Sequence, residues 1–360
     1  MKQFSCKTKI FSGAGSMSRL ADLQSKRLLL VTDPYFVKDG TAQRLLTLSG
    51  AVQSFVFDKV QPDPSVELVA EGTAAAKAFC PDTLVALGGG SAMDCAKAIA
   101  HFAGGNIRLV AIPTTSGSGS EVTDFAVLTH GETKYPLVDE KLRPDMAILD
   151  SNLLKSLPKS LIADTGFDVL GHAIEAFTAT DSSPISDALA KEAFCIAFAK
   201  LPASFGGNTQ VRGDMHVAAT MAGLAFTHGG LGLCHAIAHS LGAAYHIPHG
   251  RLIAMVLPPV INCNAHACGE KYAVLARAIG LPGSADAVAV RSLKNALIRL
   301  RKELHMPQTL KEAGIDPRQV WRSAEDIVKA VLADPCCNTN PIKPEDFMVR
   351  RILEEVTGRG

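Results

Sequence analysis

The chain reads as an α/β N-terminal domain, residues 1–157, followed by an all-α C-terminal domain, residues 158–360. Three observations predict this. Over the first 150 residues short apolar runs alternate with helical periods, the pattern of a parallel sheet covered by helices. From about Leu157 the strand-like runs vanish and Ala- and Leu-rich helical periods dominate. A triple glycine, Gly88-Gly89-Gly90-Ser91, stands where a run ends and a helix begins, which makes the sheet Rossmann-like. A length of 360 residues fits about two domains.

The elements follow in order. MKQFSCKTKIF alternates like a strand, with Phe4, Cys6, Thr8 and Ile10 on one side. Residues 27–32, RLLLVT, form a buried parallel strand with Asp33 at its C-terminal end, and 52–57 form the next. Pro62 and Pro64 stiffen the loop that follows, and Ser65 is a suitable N-cap for a helix over 65–79. Strands are expected at 83–87, 108–112 and 146–149, with an Ala-rich helix at 92–103. Beyond Leu157 the helical periods are 183–200, 213–226, 231–244, 251–262, 270–278, 284–302 and 318–332, then a loop rich in Asn and Pro and a terminal helix.

Composition narrows the function classes. Hydrophobic residues make up 47% and charged residues 20%, and the net charge is +1 without a basic run, so nucleic acid and anionic membranes are poor partners. No uninterrupted apolar run reaches the roughly 18 residues of a membrane helix, and no signal-peptide core stands at the start. Nine cysteines without a CxxC pair read as reduced thiols in a cytosol. Cys234 beside His235 is either a stray ligand or a buried apolar cysteine, the second being the ordinary role.

The glycine turn can bring backbone N–H groups close to a pyrophosphate at a helix N-terminus; the plain alternative is a tight turn. It is not the G-x-G-x-x-G fingerprint, whose acidic residue follows the glycines. Here the candidate ribose carboxylate, Asp33, precedes them, so the sheet should differ from the Rossmann fold in strand order. A carboxylate there favours NAD over NADP, though Asp33 could equally cap the turn Asp33-Pro34-Tyr35. Residues 114–123, TTSGSGSEVT, are too polar for a core element and suit a loop over a cofactor; a surface linker is the alternative.

Residues 225–249 hold five of the eleven histidines: His228, His235, His239, His246 and His249. His235 and His239 are an i, i+4 pair and share a helix face, and Pro248 ends that helix so that a Pro-His-Gly turn returns His249 toward it. Asp168 and His172 in TGFDVLGHAIE form a second i, i+4 pair. Facing each other, two such helices offer one carboxylate and two or three imidazoles to one ion, a donor set for Fe²⁺, Zn²⁺ or Co²⁺ rather than Mg²⁺ or Ca²⁺. The bland reading is that these histidines pack or face solvent. Spacing does not say which of His235 and His239 is a ligand.

Together, GGGSAMDCAK at 88–97, IPTTSGSGSEVT at 112–123, TGFDVLGHAIEA at 165–176 and GLCHAIAHSLGAAYHIPHG at 232–250 resemble the iron-containing (group III) alcohol dehydrogenases, in order and spacing across nearly the whole chain. FSCKTKIFSGAGSM and KYPLVDEKLRPDMAILD look most like the propanol dehydrogenases of bacterial microcompartments. The resemblance implies a dinucleotide-binding α/β domain and a helical domain with the metal in the cleft between them. It implies Asp168, His172, His235 and His249 as metal ligands, with His239 beside the substrate; one helical turn from His235, His239 is the candidate to pass protons between solvent and substrate. On the cofactor side it implies Asp33 at the adenosine ribose and Gly89, Gly90 and Ser91 at the pyrophosphate. Thr114, Thr115, Ser118, Val127 and Lys134 would also touch the cofactor. The chain looks shorter than many relatives between Pro81 and Leu109 and in its C-terminal half, and Ile342 stands where relatives often carry Arg.

The activity implied is NAD(H)-dependent interconversion of a small primary alcohol and its aldehyde, with Fe²⁺, or Zn²⁺ in its place, activating the substrate oxygen. A homodimer or higher homo-oligomer is implied, located in the cytosol. The subfamily adds enclosure in a microcompartment, with shell proteins or an aldehyde-producing enzyme as partners. Three alternatives share the fold or the setting: a zinc-dependent glycerol-type dehydrogenase, a non-redox lyase like dehydroquinate synthase, and a non-catalytic microcompartment interaction protein. The lyase would need a basic cluster for a phosphorylated substrate, and none stands near 165–250.

Overall fold

The computed structural model describes residues 2–131 and 133–358. They form two compact units, one over Ser5–Leu157 and the other from Pro158 onward. Phe4 belongs with the second, its ring 4.3 Å from that of His228.

The first unit contains strands β1 (Lys9–Ser12), β2 (Arg27–Thr32), β3 (Gln53–Phe57), β4 (Thr83–Gly88), β5 (Arg108–Pro113), β6 (Phe125–His130), β7 (Thr133–Val138) and β8 (Met146–Leu149). Its helices are α1 (Pro34–Lys38), α2 (Thr41–Ser49), α3 (Val66–Phe79) and α4 (Gly90–Ala103). Six strands make one sheet, all pairs parallel, in the order β1-β8-β5-β4-β2-β3. β2 is apolar and buried over Leu28–Val31 because both its faces are covered. Leu29 and Val31 join the core under α3 and α4, while Leu28 and Leu30 join the one holding Met17, Leu20 and Leu45. The chain runs from β2 outward to β3 and returns to β4 on β2's other side, so the order reverses between β2 and β4. This is the 2-1-3-4-5 doubly wound order, extended at one edge by β1, and ligands bind at such a reversal. The departure from Rossmann order inferred from Asp33 is therefore present. The N-terminal strand begins at Lys9, later than the alternation from Phe4 suggested.

The hairpin β6–β7 was not legible in the sequence. Along FAVLTH, Ala126 and Leu128 point inward, but Phe125 and Val127 are apolar too, so the period of two is hidden. It follows residues 114–123, whose polar groups are largely buried: Thr114, Ser116, Ser120, Glu121 and Thr123 are all under 9% exposed. The expectation that so polar a stretch stays out of the core fails because α4 supplies partners. Lys97 Nζ donates to Ser120 Oγ (2.8 Å), Thr123 Oγ1 (2.8 Å) and the Phe125 carbonyl (2.9 Å), and Asp94 accepts from Ser120 Oγ (2.8 Å) and the Val127 N–H (3.0 Å).

Every regular element among the described residues of the second unit is a helix. The unit comprises α5 (Lys159–Thr178), α6 (Pro184–Phe205), α7 (Arg212–Gly229), α8 (Leu233–Tyr245), α9 (His249–Ala278), α10 (Asp286–Glu303), α11 (Pro317–Arg322), α12 (Ala324–Ala333) and α13 (Asp346–Thr357). Helix α5 is buried along nearly its whole length and packs on α6, α7 and α9. The periods at 251–262 and 270–278 are two helical segments that follow one another in α9 across a kink, where Cys268 leaves helical geometry (φ −132°), with Pro258 and Pro259 accommodated in the first. As a whole α9 is long and apolar enough to cross a bilayer, but 67% of its most apolar stretch is buried in the protein, as befits a core helix. The period 318–332 divides into α11 and α12 at Ser323.

Candidate metal centre and nucleotide site

Asp168 and His172 stand one turn apart on α5, and His235 lies near the start of α8. Pro248 is the N-cap of α9, so His249 opens a long helical segment rather than a simple turn. These elements bring Asp168, His235 and His249 together, their ligand atoms all within 4.8 Å of one another, and set His172 beside Asp168. Asp168 Oδ1 lies 3.8 Å from His172 Nε2, 3.9 Å from His235 Nε2 and 3.5 Å from His249 Nε2. The rings of His172 and His235 stack at 4.6 Å, and Phe226 stacks on His172 at 4.5 Å.

Those separations are too long for hydrogen bonds. They match donors sharing an ion, since two ligands each about 2.1 Å from one tetrahedral centre stand about 3.4 Å apart. Asp168 Oδ1 and His235 Nε2 are buried and make no hydrogen bond within the protein. A buried carboxylate oxygen and a buried imidazole nitrogen facing each other without partners are unfavourable unless a cation joins them. Burial pushes the Asp168 carboxyl up to about 7 and, with the neighbouring His172 and His239, holds the His235 imidazole well below its ordinary range. The residues fit a divalent transition ion.

Two carboxylates that the sequence reading did not single out hold the histidines. Glu175 accepts from His235 Nδ1 at 2.5 Å, and Asp334 accepts from His239 Nδ1 at 2.8 Å. Glu175 was findable, because Asp168, His172 and Glu175 fall at i, i+4 and i+7 on one helix face. Asp334 is 95 residues from His239 and had no local signal. Burial pushes the Glu175 carboxyl up to about 7. Burial raises Asp334 as well, but the bonds from His239 and the Cys336 N–H outweigh it and hold the carboxyl below its usual range. The His239 side chain is 35% exposed, and its ring stacks on His249 at 5.3 Å. Cys234 is fully buried with its thiol held protonated, as an apolar cysteine is; His228 and His246 lie outside the cluster.

In the first unit the register Thr32↔Leu87 and Gly88↔Pro113 ends β2, β4 and β5 side by side. Asp33, the glycine turn and Thr114 therefore share the C-terminal edge of the sheet. Gly88 has φ +149°, and a Cβ there would meet Ala92 Cβ at 2.6 Å and lie 3.6 Å from Asp33 Oδ2. Gly89 is the N-cap of α4 and Gly90 and Ser91 its first residues. A Cβ on Gly89 would lie 3.4 Å from Thr115 Oγ1, and one on Gly90 3.3 Å from Ser118 Oγ, so the two loops face each other closely across glycine backbone. Thr114 N–H donates to the Gly88 carbonyl at 2.9 Å. Asp33 does cap the turn, accepting the Tyr35 N–H through Oδ1 at 2.9 Å. Val127 is tied to Asp94 through its N–H, and Lys134 pairs with Asp63 at 2.6 Å, so Lys134 is engaged with the Pro62–Pro64 loop. Near the other end, the Ile342 carbonyl accepts from Asn340 Nδ2 at 2.7 Å.

Residues 7–151 match the model of the family described as iron-containing alcohol dehydrogenase, and residues 162–357 match its C-terminal family model. The chain is 40% identical to the 1-propanol dehydrogenase PduQ of Citrobacter freundii, over 99% of this chain and 100% of that one. It is 36% identical to an NADPH-dependent butanol dehydrogenase of Clostridium saccharobutylicum, over 98% and 97% of the two chains. Among solved structures, an iron-containing alcohol dehydrogenase from Thermococcus thioreducens superposes with a TM-score of 0.92 at 32% identity, covering 99% of this chain and 100% of that one. A sulfoacetaldehyde reductase from Bifidobacterium kashiwanohense, solved in complex with NAD+, gives 0.91 at 29% identity with full coverage of both. The protein belongs to the iron-containing alcohol dehydrogenase family and is an oxidoreductase of that family.

Proposed function

We propose that the chain is an NAD(H)- and iron-dependent dehydrogenase that interconverts a small primary alcohol, of the size of ethanol or propanol, with its aldehyde. The observation that carries this reading is the meeting of three imidazoles on Asp168 Oδ1, with that oxygen and His235 Nε2 buried and unbonded. Asp168, His172, His235 and His249 hold the metal. Bound there, the ion supplies a Lewis acid to the substrate oxygen, and NADH supplies the hydride. Asp168 neutralises part of the ion's charge, and Glu175 keeps the proton of His235 on Nδ1. His239, its Nδ1 held by Asp334, is left with Nε2 to pass a proton between substrate and water. Gly89, Gly90 and Ser91 present backbone N–H groups to a pyrophosphate at the start of α4, and Thr114, Thr115 and Ser118 face them. Asp33 receives the ribose hydroxyls through Oδ2, since Oδ1 is taken by Tyr35. Val127 and Lys134 border the cofactor from the hairpin.

The donor set also suits zinc, so the glycerol-type zinc dehydrogenase stands as the second reading. We assign the protein to the cytosol, as a homodimer or larger homo-oligomer. We place it inside a microcompartment beside an aldehyde-producing enzyme, as its resemblance to that subfamily implies, and its similarity to two 1-propanol dehydrogenases fits a propanol-sized substrate. Metal analysis of anaerobically purified protein, paired with NADH oxidation on a panel of aldehydes and glycerol-type polyols, tests the proposal. Iron with propanal turnover is expected. Zinc with polyol oxidation would favour the second reading, and turnover after complete metal removal would refute both.

A further inference from the structure

We infer that Glu175 is the positioning residue that sets metal affinity, by locking the His235 ring and the first turn of α8 into one unit. The inference rests on the metal reading above. Helix α8 begins at Leu233 after Gly232, a cap with no side chain to satisfy the opening N–H groups. The Glu175 carboxylate, arriving from α5, takes three of them: Gly232 (3.0 Å), Cys234 (2.7 Å) and His235 (3.3 Å). Asn340 Oδ1 takes the fourth, that of Leu233, at 3.0 Å. The same Glu175 Oε2 lies 2.5 Å from His235 Nδ1. A carboxylate only accepts here, so the ring proton sits on Nδ1 and the lone pair on Nε2, directed at Asp168. One buried side chain thus fixes the tautomer, the ring orientation and the helix that carries it. Gly232 is required for this packing: a Cβ there would come 2.8 Å from both Glu175 Oε1 and Asn340 Oδ1.

Asn340 separates the two roles, since it caps the same helix without touching His235. Its amide is paired with Asn264 in both directions, at 2.9 and 3.0 Å. The experiment measures the Co²⁺ dissociation constant of metal-stripped, full-length protein by chelator competition, with the absorption spectrum of bound Co²⁺ and the unfolding temperature of the metal-free form. Glu175→Gln is expected to weaken Co²⁺ about 10–100-fold and to alter the spectrum. Asn340→Ala is expected to lower the metal-free unfolding temperature while leaving the Co²⁺ constant as in the parent. If E175Q binds Co²⁺ as tightly as the parent, or if N340A weakens it equally, the inference is overturned. Should E175Q not fold, Gly232→Ala decides with N340A as its reference, because its Cβ displaces both the carboxylate and the Asn340 amide: Co²⁺ weaker than in N340A supports the role, and Co²⁺ as tight as in N340A refutes it. A parent protein that takes up no Co²⁺ would instead overturn the metal reading itself.

Discussion

His235 and His239 occupy successive turns of one helix yet meet different partners, and the partners decide their chemistry. His235 is held by Glu175 and directed at Asp168; His239 is held by Asp334 and remains partly open to solvent. His239→Asn is therefore expected to retain bound metal while kcat falls about 10²–10⁴-fold, the range for loss of a general acid–base group. His235→Asn should lose the metal outright. Metal content and kcat on the same preparations check both, and a His239 variant stripped of metal would reverse the assignment. The i, i+4 spacing placed both histidines on one face but could not rank them, because the deciding carboxylates lie 60 and 95 residues away in the chain. Asp33 was ambiguous for a different reason: a carboxylate has two oxygens and can serve two purposes. With Oδ1 on Tyr35 and Oδ2 beside Gly88, turn cap and ribose acceptor are compatible. Asp33→Ser should lower the NAD-over-NADP ratio of kcat/KM on the order of tenfold or more, by removing a charge that repels the 2′-phosphate. An unchanged ratio would leave Asp33 as a cap alone.

At the scale of elements, two features depend on close packing or buried bonds. The first turn of α9 lies so tightly on α5 that a Cβ on Gly250 would overlap the Asp164 carbonyl, while Arg251 clamps the Asp164 carboxylate at 3.2 and 2.9 Å. Gly250→Ala should thus cost about 1–3 kcal/mol by overpacking and move the adjacent His249, so that thermal stability and metal content drop together. The tight contact was not visible in sequence, whereas the helical period at 251–262 already ran through Pro258 and Pro259, as α9 does. The second feature is the tie between α4 and the hairpin β6–β7. Burial lowers the Lys97 ammonium from 10.5 to about 8, against the pull of Asp94, Glu121 and Asp124. Between about pH 8 and 10.5 the unfolded chain keeps a proton that the folded protein has released, so this group makes stability rise with pH across that window. Below about pH 8 both states are charged and the full penalty, about 3 kcal/mol, is present. Lys97→Met leaves Asp94 without its cation and three acceptors without a donor. It should therefore destabilise at both ends of the window, and by more near pH 9.5 than near pH 7.5. Urea unfolding of the two proteins at the two pH values tests the sign.

At the scale of the whole molecule, each unit has its own core, and the four candidate ligands all belong to one of them. Asp168, His172, His235 and His249 come from α5, α8 and α9, whereas Asp33, the glycine turn and residues 114–118 come from the sheet unit. The strongest sequence signals were equally divided: apolar runs ending in Asp33 and Gly88, and histidines at helical spacing. Both were legible because each lies within a few residues of chain. What remained hidden, the seat of Glu175 of α5 on the first turn of α8, the bond of Asp334 to His239 and Lys97 under the hairpin, joins residues distant in sequence. Metal and cofactor should accordingly stabilise different parts of the protein. A ligand bound only to the folded form adds RT ln(1 + [L]/Kd), about 4 kcal/mol at a thousand times Kd. If the ion is gripped only by α5, α8 and α9, chelation withdraws that contribution from the helical unit first. Hydrogen exchange should then show faster exchange in the amides of these helices on metal removal, with little change in β2, β4 and β5. Adding NADH to the metal-free protein should do the converse, slowing exchange at the glycine turn and over residues 114–123. Equal loss of protection across the sheet on chelation would mean that the ion stabilises the chain as a single cooperative body, and the division of labour argued from the ligand positions would fail.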